Sequence, residues 1–170
     1  MREYLVVDGY NIINSWPDLR ITKDHSLEEA RERLIDVLRD YQGYRGIGVI
    51  VVFDAYNTDS MVGHSEHYGK VQVVYTKKNE TADHYIERWV DENGKDKNIW
   101  VATSDFLEQT IVMSRGGIRM SARELLEEIL RVKGERDRRH TKIHGLKANK
   151  LGDRINPEIQ GRLEAWRRKR

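Results

Sequence analysis

Tyr4-Leu5-Val6-Val7-Asp8-Gly9-Tyr10-Asn11 is an apolar run that stops abruptly on a carboxylate and a glycine. A continuous rather than alternating run reads as a strand buried on both faces, as in a parallel sheet, and it delivers Asp8 to the sheet's carboxyl edge. Gly9 lets the backbone turn closely there, and Asn11 brings an amide back toward Asp8. Ligands of open parallel α/β sheets sit outside the carboxyl ends of the strands, so an acid in this place is a site candidate. The pattern recurs twice. Ile50-Val51-Val52-Phe53 ends in Asp54, and Ile99-Trp100-Val101-Ala102 runs through Thr103-Ser104 into Asp105.

Helical periods fill the intervals between these strands. Residues 10–16 read as a short turn or helix stopped by Pro17. Ser26 with Glu29 forms a capping box for a helix carrying Leu27, Ala30, Leu34, Val37, Leu38 and Tyr41, ending near Gly43. A second strand over 47–54 completes a right-handed β-α-β crossover. Residues 55–69, with His64 and His67, show neither period and read as a loop or lid; 71–75 form a third strand. Asn79 is the expected cap of a helix over 80–92 that turns Ala82, Ile86, Trp89 and Val90 to the sheet. A strand over 98–102, a helix carrying Leu107, Ile111 and Val112, a short edge strand at 118–120 and a helix capped by Ser121 and Glu124 complete the order. The expected fold is α/β, a Rossmann-like three-layer domain with a central, mostly parallel sheet over 1–134. A basic, partly helical C-terminal extension follows over 135–170, its last short helix opening at Asn156-Pro157.

With 170 residues the chain holds one ordinary domain and a real core. It has no cysteine, which excludes a disulfide scaffold, a Cys-based zinc site and a thiol nucleophile. The first apolar run is too short for a signal segment and no run is long enough to span a bilayer, so the expectation is a soluble, cytoplasmic protein with no membrane partner. The net charge of +2 conceals an asymmetry. Residues 131–170 carry 14 Lys and Arg against 5 Asp and Glu, a net of +9, whereas 1–130 carry 16 against 23, a net of −7. An acidic body with a basic tail suits a phosphate-bearing partner, and Arg136, Arg138, Arg139, Lys142, Lys147 and Lys150 are the expected contacts. Neither glycine-rich phosphate motif is present, which argues against a nucleotide cofactor, and there is no serine-hydrolase elbow.

Chemistry points to the acids. Asp8, Asp54 and Asp105 end strands, while Glu80 and Asp83 stand at a helix start and can share a face with Glu87. Carboxylates gathered at one sheet edge raise one another's pKa unless a cation lies among them. All-oxygen ligands favour Mg²⁺ or Mn²⁺ over zinc, and the natural chemistry is metal-assisted phosphodiester cleavage. Asp8, Asp83, Asp105 and Asp54 are the expected metal ligands, with Asn11, Thr103, Ser104 and Gln109 orienting water or phosphate and Tyr10 stacking on a base. Each also has a structural reading: Asp105 as a helix cap, Asp54 as a partner of local backbone, Glu80 as a complement to a helix dipole, His64 and His67 as solvated loop residues, Trp16, Trp89 and Trp100 as core.

Four stretches, Val6-Val7-Asp8-Gly9-Tyr10-Asn11, Val52-Phe53-Asp54-Ala55, Glu80-Thr81-Ala82-Asp83 and Ala102-Thr103-Ser104-Asp105, together resemble the NYN domain of the YacP-like proteins, a branch of the PIN-like nuclease fold. The resemblance covers essentially residues 1–132. It implies a metal-dependent endoribonuclease that cuts mRNA in association with the ribosome, with rRNA as a partner, Asp8, Asp83 and Asp105 in the acidic site and Asn11, Asp54, Glu80 and Ser104 around it. Glu80 is the residue to position attacking water. A non-catalytic RNA- or ribosome-binding module with a vestigial acidic pocket, and a small-molecule phosphatase, are the competing expectations.

Overall fold

The computed structural model describes residues 2–55 and 61–152, with the side chains of 145–152 outside the description. Six strands form one sheet in the order β3-β4-β2-β1-β5-β6. These are β1 (Arg2–Asp8), β2 (Gly48–Phe53), β3 (His64–Tyr68), β4 (Val71–Tyr75), β5 (Lys97–Ala102) and β6 (Ile118–Met120). All neighbours are parallel except β3 and β4. The chain builds outward from β1 to β2 and β4, then returns to the other side of β1 for β5 and β6. β1 and β5 therefore flank the point where the winding reverses, the crevice in which open α/β sheets bind ligands.

Alternation along the strands sorts the helices into two layers. Leu5 and Val7 of β1, with Val49, Val51 and Phe53 of β2, face a core closed by α1 (Gly9–Ser15), α2 (Pro17–His25), α3 (Leu27–Arg45) and the first turns of α6 (Ala122–Gly152). Val6, Ile50, Val52, Ile99 and Val101 face the opposite core, closed by α4 (Ala82–Asn93) and α5 (Phe106–Ser114). Side chains two apart share a face. Asp8 thus follows Val6 toward α4 and α5, and Asp54 follows Val52.

Four local expectations are corrected. Pro17, read as a stop, also opens α2, where a missing N–H costs nothing at the first helical position. α3 runs past Gly43 to Arg45 and ends on Gly46, which has φ 71, the left-handed conformation glycine adopts freely. Residues 64–68 are not a loop but an antiparallel edge strand, joined to β4 by a two-residue turn whose Gly69 has φ 65. No residue of β3 is buried, so no apolar period marks it. The cap of α4 is Thr81, whose Oγ1 accepts from the His84 amide at 3.2 Å, and not Asn79; with φ 63, Asn79 lacks the extended backbone of a cap.

The chain divides into two compact units, residues Met1–Val132 and Lys133–Arg170. The first carries the sheet and both cores. In the second, helix continues through Gly152 without the weakening its composition suggested, and the helix expected at Asn156-Pro157 lies outside the described residues. Among the described residues no helix is long and apolar enough to cross a membrane.

Gly9 carries the tightest packing at the end of β1. A Cβ there would lie 2.2 Å from the Phe53 ring. Gly9→Ala is expected to displace Phe53 and lower stability by about 1–3 kcal/mol, the scale of overpacking a close-packed core. Urea unfolding measures this; an unchanged midpoint would show that the ring yields freely.

Candidate metal centre

Asp8, Asp83 and Glu108 each offer a carboxylate oxygen, and the three oxygens lie within 4.8 Å of one another. Each acid sits at a helix start that a different side chain holds in place. Asp8 ends β1 and accepts the Asn11 amide at 3.4 Å, closing the first turn of α1. Asp83 is the second residue of α4, whose first amide, that of Ala82, donates to Asp54 Oδ1 at 2.5 Å. Glu108 is the third residue of α5, whose cap, Asp105, accepts the Leu107 and Glu108 amides at 2.9 and 3.2 Å. Three helices that begin at the sheet's carboxyl edge thus aim three acids at one place, and helix N-termini favour negative charge there.

Asp54 and Asp105 therefore stand beside the trio rather than within it, in the structural uses the sequence also allowed. Asp105 still lines a small cavity of about 50 Å³ together with Asp83, Glu87 and Glu108. Glu80 turns away to an ion pair with Arg88 at 2.5 Å, and Glu87 pairs with Arg115 at 2.5 Å. Asn11 Oδ1 accepts the Ser104 amide at 2.8 Å, and Ser104 Oγ accepts the Ala122 amide, tying the loop after β5 to α1 and α6. Thr103 is fully buried; its Oγ1 accepts the Asp105 amide and its carbonyl accepts Gln109 Nε2 at 2.7 Å. These four residues shape the loop more than they face a ligand. Tyr10 accepts from Arg31 Nη1 at 3.0 Å and packs on Phe53.

Trp16 is in the core, and Trp89 and Trp100 pack against it. His64 is exposed and bonds Glu66, and His67 is exposed on the edge strand. Of the basic residues expected at phosphate, Arg138, Arg139 and Lys142 are exposed and Arg136 half-exposed on α6, whereas the side chains of Lys147 and Lys150 lie outside the described residues.

Sequence reasoning missed Glu108. The signal was there: Val112, four residues on, is buried on the α5 face that meets the sheet, so Glu108 shares an inward stripe. Its place three residues after Asp105 resembles a capping box, which would turn it back to the Asp105 amide. That amide instead bonds Thr103 Oγ1, and Glu108 points inward.

A metal fits these residues. Both Glu108 oxygens are buried without an aligned hydrogen-bond partner in the protein, and among the described residues none of the three acids forms an ion pair. Clustered buried charge of one sign is resolved by a cation or by retained protons. An all-carboxylate set suits a hard ion such as Mg²⁺ or Mn²⁺.

The family model of the YacP-like NYN domain matches residues 5–168. The uncharacterized protein YacP of Bacillus subtilis is 42% identical over 168 residues, spanning 98% of this chain and 97% of that protein. Two crystal structures of Rae1 (YacP) from Bacillus subtilis are similar. One, of a single-substitution variant, has a TM-score of 0.72 at 39% identity, covering 96% of this chain and 98% of that one. The other has a TM-score of 0.71 at 42% identity, covering 97% and 94%.

Without a cation, protons bear the charge. Burial pushes Asp8 up to about 7, with Asp83 and Asp54 adding to the rise and Glu108 and the Asn11 amide opposing it. Burial, then the Asp8 charge, pushes Glu108 up to about 9, against a smaller opposing effect of Thr103. The folded protein therefore keeps protons that the unfolded chain, with ordinary values of 3.8 and 4.5, has released. Its stability must fall as pH rises above the unfolded values, through about 7 and then about 9. Thermal unfolding in chelator is expected to show Tm dropping across that window, less steeply in Asp8→Asn and Glu108→Gln, and recovering at the alkaline end with Mg²⁺. A flat profile in the unmodified chain would remove the close pair.

Proposed function

The chain belongs to the YacP-like NYN domain family, a PIN-like nuclease family, and from that membership we propose a divalent-metal-dependent endoribonuclease that hydrolyses phosphodiester bonds of mRNA. The observation that carries the proposal is the convergence of Asp8, Asp83 and Glu108 at the switch point of the sheet. Asp8, Asp83 and Glu108 hold the ion; when bound, Mg²⁺ or Mn²⁺ supplies Lewis-acid polarisation of a phosphoryl oxygen and a nucleophile from water at neutral pH.

The remaining roles belong to the chain. Asp8 and Glu108 give up the protons they retain as the cation enters, so ion binding is coupled to proton release. Asp54 fixes the start of α4 and so presents Asp83; Asp105 fixes the start of α5 and so presents Glu108. Asn11 holds the Ser104 amide, and through it the loop that carries Asp105. Asp105 also lines the small cavity together with Asp83. Glu80, paired with Arg88, ties the segment before α4 to that helix.

Action on translating ribosomes in the cytoplasm is part of the proposal. It is supported by the net +9 of residues 131–170 and by the exposed Arg138, Arg139 and Lys142, which suit a large polyanion such as rRNA.

The test incubates purified protein with translating ribosomes and with naked RNA, each with and without chelator, and maps new RNA ends. Metal-dependent internal cuts are expected. Asp8→Asn, Asp83→Asn and Glu108→Gln should each lower the rate by roughly a hundred-fold or more, the scale of losing one electrostatic stabiliser of a transition state, while remaining folded. Salt-sensitive ribosome binding with no cleavage would favour the non-catalytic module. Wild-type rates in the variants would reject the site.

A further inference from the structure

A second cavity, of about 290 Å³, is lined by Tyr10, Arg31, Asp54, His64 and Tyr75 among others. Two chain connections link its wall to the trio. Tyr10 follows Asp8 by two residues, and Asp54 on its wall holds the amide of Ala82, the residue before Asp83.

The lining is built from rings already ordered against one another. Tyr10 packs on Phe53 with centroids 5.0 Å apart, Phe53 stacks on Tyr75 at 5.8 Å, and His64 stacks on Tyr75 at 4.7 Å with 15° between planes. Rings held in this way lose little freedom when a flat ligand joins them. The cation is Arg31 of α3. Its Nη1 donates to the Tyr10 hydroxyl at 3.0 Å, the one hydrogen bond the structure gives Arg31 among the described residues. The other N–H groups of the guanidinium fork remain for a phosphate oxygen or the acceptor edge of a base.

Size narrows the ligand. The volume lies at the bottom of the range for ligand pockets, roughly 300–1,000 Å³, which suits one base with its sugar and excludes a helix of paired RNA. Bases are read by side chains mainly where they are unpaired and can be splayed onto aromatic surfaces.

We propose that this cavity seats one unpaired nucleobase of the RNA adjoining the cut, packed against the ring cluster of Tyr10, Tyr75 and His64, with Arg31 as its polar contact. The pocket makes the enzyme selective for single-stranded RNA and sets a base preference at one position beside the cleaved bond. This inference rests on the nuclease reading for its substrate, and its test is separable from that reading.

The probe is a fluorescently labelled single-stranded RNA heptamer in which one base-free ribose is walked along the strand, with binding to the full chain followed by anisotropy in chelator. The basic extension meets phosphates, so its contribution is blind to a missing base. Wild-type protein should lose affinity roughly ten-fold at one position and little elsewhere, the scale of one base stacked on an aromatic ring. Arg31→Ala and Tyr75→Leu should weaken the intact heptamer and no longer register the gap; Arg31→Lys should restore charge without restoring the positional dependence. Arg31 is half-exposed and its replacement leaves the core intact, so it serves if Tyr75→Leu does not fold. Uniform sensitivity along the strand, or variants that still sense the gap, would overturn the pocket. Positional binding without any cleavage keeps the pocket and rejects the nuclease, whereas cleavage without positional binding does the reverse.

Discussion

Two carboxyl groups removed from water beside each other form the constraint on which this molecule turns. Asp8 is 8% exposed and Glu108 4% exposed; burial raises the cost of ionising both, and the Asp8 charge raises it further for Glu108. An apolar pair of the same shape would pack there without penalty. Acids retained at the interior end of a sheet are neutralised by a cation or by retained protons. Asp83, exposed at the rim, completes the set from the solvent side.

The fold supplies this arrangement by the geometry of strand ends. Winding outward from β1 in one direction and returning in the other leaves a crevice over β1 and β5, and every helix near it begins at the same edge of the sheet. Helix starts need acceptors for their first amides. Asp8, Asp54 and Asp105 provide them, and each such bond also fixes the phase of the helix that follows. Positioning and capping are thus one interaction: a caps-only role for Asp54 or Asp105 already determines where Asp83 and Glu108 point. Neutralising either cap would leave the ligands in the sequence but loosen their aim.

Much of this is legible in the sequence. Strands read as unbroken apolar runs because β1, β2 and β5 are covered on both faces, and their terminal acids announce the functional edge. β3 is invisible there because an edge strand with no buried residue carries no period-two signal; pairing with β4 and the Gly69 turn make it a strand. The α4 cap is misassigned to Asn79 because the preference of Asn for caps and its tolerance of the left-handed region are indistinguishable in sequence. Glu108 escapes because the strand-end pattern that finds the aspartates does not extend to a residue one helical turn later. Only its phase with Val112, a property of the helix and not of the loop, marks it as inward.

Charge is divided along the chain in a way that follows from the same constraint. A site built of acids repels the phosphates it is to cleave, and the acidic remainder of residues 1–130 adds to that repulsion. On the proposed nuclease reading two positive sources act on an RNA chain: a cation held by the acidic trio, which would reverse the sign of the local field, and the lysines and arginines of residues 131–170, which act over distances set by the salt concentration. Affinity and catalysis respond differently to these sources. On that reading salt screens the outer charges and slows capture, whereas chelation would remove the inner charge and stop the chemistry with capture largely intact. The proposed reading thus separates holding a polyanion, which salt weakens, from cutting it, which the ion would govern.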